Sequence, residues 1–380
     1  MKRASSRQSD AEHAPCKGSS YEINSQLSVG WIAKSLISWF DERGRELPWR
    51  SDRTPWGSLV SEFMLQQTQL ARVVDHWPRF MAKFPSPRHL ASSEESRALS
   101  AWEGLGYYRR VRLLRNAAMM IVREHSGATP TSVSALQGLP GVGRYTAGAV
   151  ASIVAGERAP IVDANVVRVF LRLGGVSRSA DDRLAVQWCW NQAERFAEVS
   201  RSPGVSNEAL MELGGTVCTR RSPNCSACPL QKCCKARAED MTEAIPLPKR
   251  RAVRSRVYMF TALSVSSRGL LLEQRSPSGL WGSMWQPPTV ESAKKLSRAS
   301  VAKAFGLSSA ELHVRDRVLF QTTHRAVEFH IFDASRSPSS FPKSAMKLPR
   351  KCVRWKDLPA HALSSPLRTL VAGLAIEREQ

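Results

Sequence analysis

The chain is 380 residues long, is 42% apolar and carries a formal charge of +22. That length and apolar content support two or three cored domains. The charge excludes an acidic surface and points to a polyanionic partner, nucleic acid before others, with a merely basic solvated surface as the plain alternative; no apolar run is long enough to span a bilayer.

Residues 1–27 are polar, lack the apolar segment of a secretory signal and are expected to form a disordered tail. An intracellular, reducing setting follows: cytoplasm and nucleoid in a bacterium, nucleus or mitochondrion in a eukaryote. The eight cysteines then read as ligands or free thiols before they read as disulfides. Residues 28–235 read as an all-helical domain. VGWIAKSLISWFDERG has apolar residues near a 3.6 period and closes at Gly44. LVSEFMLQQTQLARVVDHWPRFMAKF, LSAWEGLGYYRRVRLLRNAAMMIVREH and GRYTAGAVASIVAG repeat that pattern, and ANVVRVFLRLGG and NEALMELGG are helices closed by glycines. Residues 236–256 form a Pro-containing basic linker. From Val257 to Gln380 the texture changes to α/β: VYMFTALSVSSRGLLLEQR predicts two strands around a Ser-Ser-Arg-Gly turn, KKLSRASVAKAFG a helix, and ELHVRDRVLFQTTHRAVEFHIFDA a return to strand.

Two motifs carry chemistry. In LPGVGR, Gly141 and Gly143 flank Val142, and Arg144 opens a helix. Glycines there permit positive φ and close backbone approach, and amides at the helix start can hold a phosphate. Together with the net charge this predicts a helix-hairpin-helix element that grips a DNA backbone without reading sequence; a ligand-free helix connection is the plain alternative. In CTRRSPNCSACPLQKCC, Cys218, Cys225, Cys228 and Cys234 are spaced C-x6-C-x2-C-x5-C. Four thiolates so close in sequence can wrap one metal centre, zinc or an iron–sulfur cluster. Cys233 adjoins Cys234, so chemistry alone leaves the last ligand open, and Cys16, Cys189 and Cys352 stand apart.

LPGVGR, VDANVVRV (Val162–Val169) and the cysteine spacing together resemble the endonuclease III superfamily of base-excision DNA glycosylases. LPWR (Leu47–Arg50), SEFMLQQTQ (Ser61–Gln69) and GLGYYRR (Gly104–Arg110) are similar to the MutY adenine glycosylases within it. The resemblance runs from Val29 to Cys234 and resumes in the C-terminal domain. It implies a helix-hairpin-helix glycosylase domain with a [4Fe–4S] cluster loop, Cys234 being the fourth ligand, and a C-terminal Nudix-like domain. The implied partner of this chain, expected to be a monomer, is double-stranded DNA holding adenine opposite 8-oxoguanine or guanine.

Breaking an N-glycosidic bond needs a proton for the leaving base and support for a cationic sugar, work that two carboxylates can divide. Glu62 lies at the edge of an arc formed by Leu59, Phe63 and Leu65, where partial burial would keep it protonated; the resemblance implies that it protonates adenine at N7. A surface glutamate in a salt bridge is the alternative. Asp163 precedes a helix start, whose amides favour its ionised form; the resemblance implies that it stabilises the sugar, with Asn165 hydrogen-bonding nearby, and a plain N-cap is compatible with both. Ala164 departs from the glycine familiar at that place. Tyr145 stands where strand-cutting relatives carry a lysine. A phenol forms no imine, which implies a monofunctional enzyme, and Val167 points the same way.

By resemblance, Gln66 and Gln67 form the wedge that offsets base extrusion, Tyr107 or Tyr108 stacks beside the opposite base, and Arg45, Trp49, Arg50 and Glu208 line the adenine pocket. The C-terminal domain offers Lys294, Lys295, Arg298, Lys303 and only Glu291 where a Nudix hydrolase holds magnesium with a glutamate-rich helix, so it reads as a recognition domain rather than a hydrolase. Thr323 and His324 are the expected 8-oxoguanine readers, with Thr322 replacing an aromatic. The competing readings are a thymine- or pyrimidine-removing relative and a non-catalytic DNA-damage binder.

Overall fold

The structure, a computed structural model, describes residues 29–248, 254–322, 324–342 and 348–379. The predicted tail, the basic stretch 249–253 of the linker, Cys16 and the expected reader Thr323 lie outside the described residues. In chain order the helices are α1 (Val29–Arg43), α2 (Pro48–Ser51), α3 (Pro55–Leu65), α4 (Leu70–Lys83), α5 (Pro87–Ala91), α6 (Glu95–Ala101), α7 (Arg109–Glu124), α8 (Val133–Gln137), α9 (Arg144–Ala155), α10 (Ala164–Gly174), α11 (Arg183–Val199), α12 (Pro203–Thr216) and α13 (Lys235–Ala238). There follow β1 (Ser255–Leu263), β2 (Gly269–Gln274), β3 (Trp285–Gln286), β4 (Thr289–Ser292), α14 (Arg298–Phe305), β5 (Leu312–Gln321), β6 (Arg325–Ala334), β7 (Arg350–Arg354) and α15 (Ser365–Glu379). No described helix is long and apolar enough to cross a membrane. The residues gather into two compact units that interleave along the chain: Met1–Arg45 with Arg158–Lys249, and Glu46–Glu157 with Arg250–Gln380.

In the first unit, α1 buries Ile32, Ala33, Leu36 and Phe40, one stripe at helical spacing, against α11 and α12. α10 packs on α11, α12 and α13. Asp163 caps α10 by accepting from the Val166 amide at 2.7 Å, and Gly175 ends that helix in the left-handed region at φ 64°. The crossing of α10 and α12 is close: a Cβ at Gly214 would lie 2.6 Å from the Asn165 Cβ, so only glycine fits there.

In the second unit, α3 starts at Thr54, whose hydroxyl accepts from the Gly57 amide at 3.0 Å, with Pro55 at the first helical position. Every residue from Trp56 to Met64 is buried, so α3 is a central helix. α3 packs on α4, α7 and α9 around a core that includes Leu59, Phe63, Phe80, Trp102 and Leu114. Two segments expected to be continuous helices are broken. The first is cut at Gln66–Gln69, where Gln67 takes φ 55°; the second is cut between Trp102 and Tyr108, where Gly104, Gly106 and Tyr107 take φ 91°, 68° and 48°. The Gln-Gln pair therefore sits on a turn after α3, not on a helix.

The strands form two sheets, ordered β4-β1-β6-β5 and β3-β2-β7. The two strands expected around Ser-Ser-Arg-Gly exist, but each joins a different sheet, and β1 instead pairs in parallel with β6. The segment expected to return to strand supplies β5 and β6, which pair as an antiparallel hairpin. Arg298–Phe305 is helical, shorter than predicted, because Ser297 caps it by accepting from the Ser300 amide. Met284 and Ala362 lie in the same core as α3, and Arg112 donates to the Gly282 carbonyl, so the strand-rich segment completes the core of this unit.

Candidate functional site

Within the second unit, α3 brings Glu62 into the core with 6% of its surface exposed, far more buried than a salt-bridged surface glutamate. α9 opens at Gly143 after the glycine turn, with Arg144 exposed and Tyr145 half-buried in its first turn. Gly141 takes φ 81°, and a Cβ there would meet the Leu113 Cβ at 2.8 Å and a Phe63 ring carbon at 3.1 Å. Gly143 faces open space. Val142 is buried in the core, so the outward surface of this turn is backbone. That is what gripping a phosphate chain requires and base reading does not.

Gln66 is half-buried and Gln67 exposed at the C-terminal end of α3. Tyr107 is 44% exposed, whereas Tyr108 is 6% exposed and burial pushes its phenol up to about 12. Of the two tyrosines, Tyr107 is the ring a base can reach; Tyr108 serves the core. Trp49 is also a core residue, edge-on to Trp77 at 6.3 Å, and Arg50 is half-buried beside it in α2. Gln66, Gln67, Tyr107, Trp281, Phe320 and Thr322 share the wall of a cavity of about 690 Å³. At the tip of the β5–β6 hairpin His324 is exposed, and the Thr322 hydroxyl accepts from the Arg325 amide at 2.9 Å, so that hydroxyl is engaged in closing the hairpin.

In the first unit, Asp163 is held by its own helix. Oδ1 takes the Val166 amide and Oδ2 accepts from the Asn165 side-chain amide at 2.9 Å. Burial pushes the Asp163 carboxyl above the usual range, and these hydrogen bonds and Arg168 oppose that only in part. The ionised form is thus held at higher energy than the helix start alone would suggest. Arg168 donates to Asn165 Oδ1 at 2.9 Å, the Gly214 carbonyl at 2.6 Å and the Cys218 carbonyl at 2.7 Å. Glu208 is 3% exposed on α12. One turn later Glu212 grips Arg45 with both oxygens, Nε to Oε1 at 2.5 Å and Nη2 to Oε2 at 3.2 Å. Sequence reasoning missed Arg168 and Glu212. Their signals were positional: Arg168 follows Asp163 by five residues, and Glu212 follows Glu208 by four.

Cys218, Cys225, Cys228 and Cys234 line one small cavity together with Arg172. Cys233 is buried elsewhere, with its thiol on the Leu230 carbonyl at 3.2 Å, so position favours Cys234 as the fourth member of the set. Arg172 is 1% exposed and donates to Cys218 Sγ at 3.3 Å, to the Thr219 carbonyl at 2.7 Å and to the Ile245 carbonyl at 2.8 Å. Burial pushes the Cys228 thiol up to about 12, so a bound cation is needed to hold it as thiolate. Four sulfurs around one zinc would lie within ~4 Å of each other. Among the described residues no group of three His, Cys, Asp or Glu side chains is arranged to hold a single metal ion. The donor set is all thiol and shares one cavity, a set that both zinc and an iron–sulfur cluster accept.

Comparison with known proteins divides the chain differently from the two compact units. A family described as HhH-GPD superfamily base excision DNA repair protein matches residues 60–194, and a NUDIX domain family matches residues 260–373. The chain is 42% identical over 228 residues to an adenine DNA glycosylase of Mus musculus, covering 57% of this chain and 44% of that protein. It is 41% identical over 199 residues to an adenine DNA glycosylase of Mycolicibacterium smegmatis, covering 52% of this chain and 67% of that protein. A solved thermostable thymine-DNA glycosylase superposes with a TM-score of 0.50 at 25% identity, over 56% of this chain and 97% of that one. The chain spans less than half the length of the mouse relative.

Proposed function

The chain belongs to the adenine DNA glycosylase family, and we propose that it removes adenine mispaired with 8-oxoguanine or guanine by hydrolysing the N-glycosidic bond, without cutting the strand. The observation that carries this reading is the burial of Glu62 on α3 in a chain of that family. A carboxyl screened from water is suited to hold the proton that a leaving purine needs. In the proposed reaction that proton goes to adenine N7 as the bond between the base and the sugar C1′ breaks. Asp163, already paired with Asn165 and the Val166 amide, supplies the negative charge that supports the cationic sugar. Water adds at C1′, its proton passing to the Glu62 carboxylate, and leaves an abasic site and free adenine. Tyr145 replaces a lysine nucleophile with a phenol, which leaves no amine there for imine formation. Gln67 and Tyr107 are assigned to the extruded-base duplex, as wedge and as stacking surface, and the Gly141–Arg144 backbone to its phosphates. Arg45, Trp49, Arg50 and Glu208 are assigned to the adenine pocket and His324 to the opposite base. Cys218, Cys225, Cys228 and Cys234 would hold a [4Fe–4S] cluster, whose iron–thiolate bonds would fix the fold of the 218–234 loop.

The test is single-turnover reaction on labelled duplexes with adenine opposite 8-oxoguanine, adenine opposite guanine and thymine opposite guanine, each with and without alkali. Alkali-dependent breaks at adenine are expected, reduced on the order of 10²–10⁴-fold in Glu62→Gln. Breaks without alkali would reveal a lyase step. Breaks at thymine would move the substrate assignment, and mismatch binding with no base release in any duplex would make the protein a damage binder.

A further inference from the structure

Arg110, in the first turn of α7, is a buried cation held by acceptors that carry no formal charge. It is 7% exposed. Nη1 donates to the carbonyls of Phe63 at 2.9 Å, Met64 at 2.8 Å and Gln66. Nη2 donates to Thr68 Oγ1 at 2.9 Å and to the carbonyls of Leu105 at 3.1 Å and Gly106 at 3.3 Å. Its guanidinium carbon lies over the Trp102 and Tyr107 rings at 5.5 and 5.4 Å from their centroids. One nitrogen thus serves the end of α3 and the other bridges to the Gly104–Tyr108 turn.

The reason for this arrangement is local. The last carbonyls of a helix lack intrahelical partners, and α3 ends without a glycine cap because the chain leaves at Gln66 with ψ 112° and Gln67 enters the left-handed region. Gln67 and Tyr107 are both non-glycine residues at positive φ, a conformation that persists only where the surroundings hold it. Arg110 is bonded to both turns, and the Thr68 hydroxyl adds a longer contact of its own to the Leu105 carbonyl at 3.5 Å. A lysine has three donors on one nitrogen and cannot reproduce a planar fork.

We propose that Arg110 is a positioning residue that locks the Gln66–Thr68 and Gly104–Tyr108 turns into one rigid element, so that wedge and stacking ring enter the duplex together. It acts on base extrusion and not on bond cleavage. This rests on the assignment of Gln67 and Tyr107 to DNA made above.

Two readouts separate the inference from its premise. The first is the fluorescence of 2-aminopurine placed opposite 8-oxoguanine, read at saturating protein. Arg110→Lys is expected to lower the extrusion signal at least fivefold, with the pH profile of adenine release unchanged in shape. Thr68→Val, which removes one acceptor of Arg110 and the hydroxyl's own long contact to the Leu105 carbonyl, is expected to lower it about twofold at unchanged Tm. The second is hydrogen exchange in the free protein, where amides of 66–68 and 104–108 should speed up together in Arg110→Lys while those of α9 do not. A variant that keeps its Tm and extrudes the base like the parent overturns the inference. So does faster exchange spread evenly over the protein, or Thr68→Val matching the parent if Arg110→Lys fails to fold. If the parent itself shows no extrusion signal, the DNA assignment of these turns fails, and coupled exchange then decides the rigid element alone.

Discussion

In the proposed reaction Asp163 serves structure and chemistry at opposing cost. As an N-cap it completes α10, and as a buried carboxylate it is destabilised, because burial raises its pKa more than its hydrogen bonds lower it. The folded state therefore binds the Asp163 proton more tightly than the unfolded chain does. Its contribution to stability is greatest at low pH and is lost as pH rises through the folded pKa. Asp163→Asn keeps an oxygen for the Val166 amide and removes the charge. Base release should fall on the order of 10²–10³-fold. The Tm difference, variant minus parent, should be most positive near pH 7 and shrink as pH is lowered; a difference that grows toward acid would contradict the raised pKa. The parent's acid limb of activity should likewise lie above the pH at which an ordinary aspartate titrates, about 3.9.

At the scale of elements, the glycine turn before α9 divides its two glycines between folding and surface. Gly141 is required by its φ of 81° and by Leu113 and Phe63 behind it, whereas Gly143 has open space where a Cβ would go. Gly141→Ala should cost about 1–3 kcal/mol through overpacking alone, with more from the positive φ. Gly143→Ala should melt like the parent but bind duplex DNA more weakly, because a methyl keeps a phosphate from the turn's amides. Equal affinity in Gly143→Ala would remove this turn from the DNA interface. The turns at Gln66–Gln69 and Gly104–Tyr108 show the limit of periodicity. Each reads as one helix in sequence, and the contacts that hold the two turns come from afar, Arg110 being 42 residues from Thr68 in sequence.

For the whole molecule, the strand-rich C-terminal segment is more than an appended reader. Met284 and Ala362 belong to the core that surrounds α3, and Arg368 pairs with Glu103 in the turn before α7. Removing residues 254–380 should lower the Tm of what remains and expose apolar surface to dye binding, even though the family match for the helical part ends at residue 194. An unchanged Tm would show that the helical core closes without them.

The sequence by itself determined the composition-level facts and the local chemistry. Its charge pointed to a polyanion, the cysteine spacing to a metal centre and the glycine turn to a helix start, whereas the roles of Glu62 and Asp163 came from the resemblance to known glycosylases. Each of those signals lies within a short stretch of chain, where spacing and residue type are sufficient. Tertiary structure decided what depends on distant partners. It buried Tyr108 and Trp49 and left Tyr107 outside, set Cys234 and not Cys233 in the shared cavity, and parted β1 from β2 into different sheets. It also assigned Arg110, Arg168, Arg172 and Glu212 to interior networks. In sequence each of these is an ordinary charged residue on a helix. A buried charge is tolerated only when acceptors or opposite charges converge on it, and that convergence comes from segments that local pattern cannot bring together.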